Sequence, residues 1–105
     1  MAILAIIKGK GLTKNMYETI RKEIKWEQNH PKGGTFHVSG FDHDGNMLVV
    51  DVWESQAAMD EFFKTRLAPA MQKLKIPMPE AVEVVTTHNI NAYPSMDQYK
   101  LAPKK

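Results

Sequence analysis

The chain has no cysteine among its 105 residues. Disulfides, thiolate metal sites and a cysteine nucleophile are therefore excluded, and the redox compartment is left open. Nor does it contain an apolar run approaching the roughly 20 residues of a membrane span. The opening "MAILAIIKGKG" is apolar but short, and it has neither a basic leader nor a small-residue cleavage site. A cytoplasmic protein with no membrane partner is the expectation. Charge of one sign is scarce as well: the formal net charge is +2 and the lysines are interleaved with acids, so no nucleic-acid partner is implied. The densest basic stretch, "KLAPKK" at the C-terminus, reads as a solvated tail. The spacings HxH, HxxxH and HExxH are all missing. A metal site built from His37, His88 and Asp51 would depend wholly on tertiary proximity, and none is expected.

What is present suits one domain that buries ~60–68% of its unfolded surface. Ala2 to Lys8 is rich in β-branched residues and ends in glycines, the pattern of a buried strand. Thr13 is placed to cap a helix whose Met16, Tyr17, Ile20 and Ile24 form one apolar stripe, with Glu18 and Lys22 paired across a turn, before "NHPKGG" stops it. Trp26 points away from that stripe at 100° per residue; it either packs on a neighbouring chain or folds over the helix end. Segments 34–42 and 47–54 are strands joined by "HDGN", a strong hairpin signal. Ser55 then caps a second helix carrying Met59, Phe62, Phe63 and Leu67 on one side. Pro69 is expected to break it and restart a short helical piece with Met71 and Leu74, and "IPMPE" to force an extended connection. A last strand is expected from Ala81 to Ala92.

The order βαββαβ predicts an α+β, ferredoxin-like domain over residues 1–93, a four-stranded antiparallel sheet with both helices on one face, followed by a tail over 94–105. Both sets of side chains in the first strand, Ile3/Ala5/Ile7 and Leu4/Ile6, are apolar. A sheet with two apolar faces needs a second cover, and a homodimer packed face to face about a two-fold axis supplies it.

The stretch "MLVVDVWESQAAMDEFF", a strand ending in Val-Trp-Glu-Ser and running straight into an amphipathic helix, resembles the antibiotic biosynthesis monooxygenase-like group of the dimeric α+β barrel superfamily. "HVSG", "RLAPAM" and "HNI" add to the resemblance, which runs from the first strand to about Tyr93. It implies a dimeric α+β barrel and, among the group's activities, cofactor-independent oxygenation of a small aromatic or quinol-type molecule. The haem-degrading branch relies on an asparagine in the first strand, a helical tryptophan and a histidine. Here the first strand is "AILAIIK" and Trp53 ends a strand, so that catalytic set is not carried over and no cofactor is expected.

His37, Asp51, Trp53 and His88 are the polar or half-polar residues set into apolar strands, where a pocket would draw its convergent groups. A two-residue hairpin loop places His37 opposite Val52. A three-residue loop with a bulge places it opposite Trp53 and diagonal to Asp51. In the second register Asp51 holds the His37 imidazole in one tautomer, and Trp53 walls one side of a planar substrate. Histidine, with an ordinary pKa of ~6.5, then removes a phenolic or activated C–H proton and the substrate anion meets oxygen directly. The competing readings are structural: a satisfied strand histidine, a wet edge carboxylate, a core tryptophan, and His88 at a dimer contact. His30 and His43 read as loop residues facing solvent. A non-catalytic homodimer that binds a small apolar ligand, with Met59, Phe62, Phe63 and Met71 as its wall, is the alternative function. An RNA-binding module lacks its stacking aromatics in "NMLVVDVW", and an acylphosphatase lacks an arginine after the first strand.

Overall fold

The apolar periodicities resolve into a single sheet covered on one side by helices. The structure is a computed structural model describing residues 1–79 and 81–100, so the end of the basic tail, residues 101–105, lies outside the described residues. The elements are β1 (Ile3–Gly9), α1 (Lys14–Ile24), β2 (Gly34–Phe41), β3 (Met47–Trp53), α2 (Gln56–Phe62), α3 (Ala68–Leu74) and β4 (Ala81–Thr86). All strand pairs are antiparallel, in the order β2-β3-β1-β4. This is the expected ferredoxin-like α+β layout. Ile3, Ala5 and Ile7 of β1, with Val49 and Trp53 of β3, form the core with Ile20, Ile24, Met59, Phe62 and Met71 of the helices. No helix among the described residues is long and apolar enough to cross a membrane.

The Thr13 hydroxyl accepts from the Met16 amide and starts α1, and the Ser55 hydroxyl accepts from the Ala58 amide and starts α2. Glu18 pairs with Arg21, three residues on, instead of with Lys22. Arg21 also reaches Glu27, and the planar guanidinium serves both carboxylates where an ammonium has no comparable fork. Its cation is held above the usual arginine range, chiefly by the Glu18 hydrogen bond.

Pro69 stands in the first turn of α3, which carries Met71 and Leu74 as expected, but no break precedes it. Phe63–Leu67 form a wide, π-type turn that runs directly from α2 into α3, and the Ala68 amide reaches back to the Phe63 carbonyl. The widened turn shifts the hydrogen-bond ladder just where proline has no donor to offer. β4 also stops at Thr86, six residues before the expected Ala92. Among the described residues its neighbour in the sheet is β1, which starts at Ile3, and the Thr87 amide to the Ala2 carbonyl is the final rung. Beyond it, Pro94–Tyr99 form a short 3-10 turn.

The hairpin adopts neither anticipated register. The Asp42 carboxylate accepts from the Asp44 and Asn46 amides, both at 2.9 Å, and Asp42 also pairs with Asn46 through the backbone. Those amides, Asn46 first, hold the carboxyl below its ordinary range. The loop is thus His43–Gly45, and His37 lies directly opposite Asp51. A bulge between Gly34 and Phe36 shifts the pairing by one at the start of β2.

On the face away from the helices stand Leu4 and Ile6 of β1, Leu48 and Val50 of β3, Val38 of β2 and Val85 of β4. Val38 and Val85 are each 47% exposed and Leu48 42%.

Candidate active site

A carboxylate in a valine-rich strand must find hydrogen bonds or remain wet. Asp51 is 3% exposed and finds two donors on its own sheet face. His37 Nδ1 lies 2.6 Å from its Oδ1, and Trp53 Nε1 donates to its Oδ2 at 3.4 Å. An ionised carboxylate only accepts, so Nδ1 is the donor of this contact, and in a neutral imidazole Nε2 keeps its lone pair. That lone pair meets Tyr17 of α1, whose hydroxyl lies 2.8 Å from Nε2 with the two rings only 8° from parallel. Burial pushes the Tyr17 phenol above its ordinary range, an effect opposed by the Ser39 hydroxyl and the Arg21 cation. The result is one chain of hydrogen bonds, Tyr17–His37–Asp51–Trp53, assembled from α1, β2 and β3.

Two cavities meet at this chain. The inner one, about 70 Å³, lies between helices and sheet and includes Tyr17, Arg21, Phe62, Phe63 and Leu67 in its wall. The outer one, about 170 Å³, is framed by His30, Thr35, Phe36 and Trp53, and it reaches the surface at the exposed His30 and Thr35. Trp26, His37 and Asp51 line both. They are the partition between an apolar chamber and a more polar one.

Trp26 reaches that partition because α1 ends abruptly. Lys25 adopts the left-handed conformation, φ 54°, which breaks the 100° progression and folds the next residue over the helix end. Its ring lies 4.5 Å from that of His37 and 5.1 Å, edge to face, from Phe62. Arg66 locks this corner, donating to the Ile24 carbonyl at 2.6 Å and lying 5.2 Å over the Phe62 ring.

No family model matches the chain, and no curated relative matches it. Solved structures do. A Chloroflexus aurantiacus J-10-fl protein provisionally named an antibiotic biosynthesis monooxygenase superposes with a TM-score of 0.66 at 13% identity, covering 88% of this chain and 98% of that one. A conserved protein from Methanosarcina mazei Go1 gives 0.62 at 10% identity over 84% and 94% of the two chains. A Deinococcus radiodurans protein with the same provisional name as the first gives 0.55 at 13% identity over 89% and 98%. The fold is that of the antibiotic biosynthesis monooxygenase-like group. Similarity at this level of identity carries the architecture and leaves the chemistry to the site.

On this sheet His37 and Asp51 come together and Trp53 joins them, though as a wall of the outer cavity only. Phe62 and Phe63 line the inner cavity. Met59 packs in the core, 3% exposed, and lines neither. His88 is exposed beyond the end of β4 and lines neither, because pairing with β1 has already run out. Among the described residues no three histidine, aspartate or glutamate side chains are grouped to hold a metal ion.

Sequence reasoning missed Tyr17 and Trp26 as site residues. The signal for Tyr17 was present: it is the one member of the α1 stripe with a hydroxyl, and a hydroxyl turned toward a core needs a partner there.

Proposed function

We propose that the chain is a cofactor-independent monooxygenase of small hydroxylated aromatics, quinols among them, with the His37–Asp51 pair as its general base. The observation that supports this reading is the contact of a half-buried His37 with the buried Asp51 at the wall of an apolar chamber. A carboxylate fixed on Nδ1 leaves the other ring nitrogen as an acceptor, and it faces the Tyr17 hydroxyl on the chamber wall. The aromatic wall of Trp26, Phe62 and Phe63 suits a planar ring.

In the proposed reaction the hydroxyl proton of a hydroquinone passes to His37. The resulting anion gives one electron to dioxygen, and the radical pair recombines at a ring carbon. The peroxide takes the proton back from His37 and then loses water, with the remaining hydrogen of that carbon, as a carbonyl forms. One oxygen atom stays on the ring, the other leaves as water, and the substrate supplies all the electrons.

The apolar outer face of the sheet supports a homodimer in which a second copy covers Val38, Leu48, Val50 and Val85. A binding protein without chemistry would use the same chamber. The two readings part in an oxygen-electrode assay with hydroquinone and its naphthalene analogue. Wild-type protein is expected to raise consumption above the spontaneous rate, and His37→Ala to remove at least ~100-fold of that increment. Equal rates for the two proteins would sink the enzymatic reading.

A further inference from the structure

We propose that Tyr17 is the relay through which a phenolic ligand in the inner cavity passes its proton to His37. The proposal deepens the reading of His37 as a base and rests on it. Both ring nitrogens of His37 are already engaged, Nδ1 by Asp51 and Nε2 by the Tyr17 hydroxyl. A ligand in the inner cavity therefore meets the imidazole only through the tyrosine oxygen, unless it displaces it. Position agrees with this order: Tyr17 lines the inner cavity and is not part of the outer one, whereas His37 and Asp51 belong to both.

The transfer moves two protons in one direction. The ligand O–H proton goes to the Tyr17 oxygen as the tyrosine's own proton goes to His37 Nε2. The products are a ligand anion, a neutral tyrosine and an imidazolium against the Asp51 carboxylate, with no change in total charge. A standing tyrosinate is not required, and burial of Tyr17 works against one. Arg21, the other charged group on the inner wall, already faces Glu18 and Glu27, so it offers the ligand anion no unpaired cation.

The experiment uses 4-nitrophenol, whose anion is coloured, with wild-type protein, Tyr17→Phe and His37→Gln. Binding is measured by equilibrium dialysis, ionisation of the bound dye by absorbance, and folding by circular dichroism. Tyr17→Phe is expected to bind the dye within about threefold of wild type, while the ionisation constant of the bound dye falls about tenfold or more, the effect of losing one charge-assisted hydrogen bond. His37→Gln should lose ionisation as well. If Tyr17→Phe ionises the dye as wild type does and His37→Gln does not, the relay is overturned and the base survives. If neither variant changes ionisation, both ideas fall. Failure of wild-type protein to bind the dye overturns the proposal too, since the phenolic class is part of it.

Discussion

Asp51 is the residue on which the polar chain depends most, because it alone satisfies both His37 Nδ1 and Trp53 Nε1. Asp51→Ala strands the buried Trp53 donor and the half-buried His37 donor, and unfolding free energy in urea is expected to fall by about 2 kcal/mol. Asp51→Asn keeps one acceptor oxygen and should lose about half as much. A smaller loss for alanine than for asparagine would contradict the hydrogen-bond account. At this scale the sequence was informative wherever a polar residue intruded on an apolar strand. His37 and Asp51 stood out because burial obliges such groups to find partners. Trp26 did not, since its direction is set by a single left-handed residue at Lys25, and lysine carries no left-handed preference that a reader of the chain would notice.

At the scale of elements, two glycines separate backbone strain from crowding. Gly33 and Gly45 both sit at φ +82°, but a Cβ on Gly33 would lie 2.6 Å from the Cβ of Ala58 on α2, whereas one on Gly45 meets nothing within 4 Å. Gly45→Ala should therefore lower stability by about 1 kcal/mol, the left-handed penalty alone. Gly33→Ala adds the clash and should lower it by about 2–4 kcal/mol. Equal effects in thermal unfolding would show that α2 yields freely at its first turn. The order of strands and helices was legible from periodicity and caps. Hairpin register was not, because Asp44-Gly45 accepts several turns and the choice falls to the Asp42 side chain, two residues before that dipeptide. The restart of a helix at Pro69 was legible, whereas the interruption expected before it failed for a related reason. A missing donor rules out a regular α-helical ladder without dictating a stop, and the packing of Phe62, Leu67 and Met71 on the core favours continuing.

For the molecule as a whole, the uncovered sheet face makes the sharpest prediction. Val50 lies between Ile6 and Val38 in the middle of that face. Wild-type protein should sediment as a dimer at micromolar concentration, and Val50→Lys as a folded monomer. A wild-type monomer would leave the apolar face without a role. Apolar composition on both sides of β1 already pointed to this face, since the right-handed crossovers of this strand order put both helices on the same side of the sheet. The partition between the chambers, in contrast, joins residues 26, 37 and 51, and no local pattern in the chain couples them. That partition has one thin member. Trp26 is the sole part of it borne by a helix end instead of a strand, and it takes no part in the Tyr17–His37–Asp51 hydrogen bonds. Trimming or enlarging that one indole would reset the room between the two chambers while the Tyr17–His37–Asp51 hydrogen bonds stayed intact, so chamber size in this architecture drifts separately from the polar chain beside it.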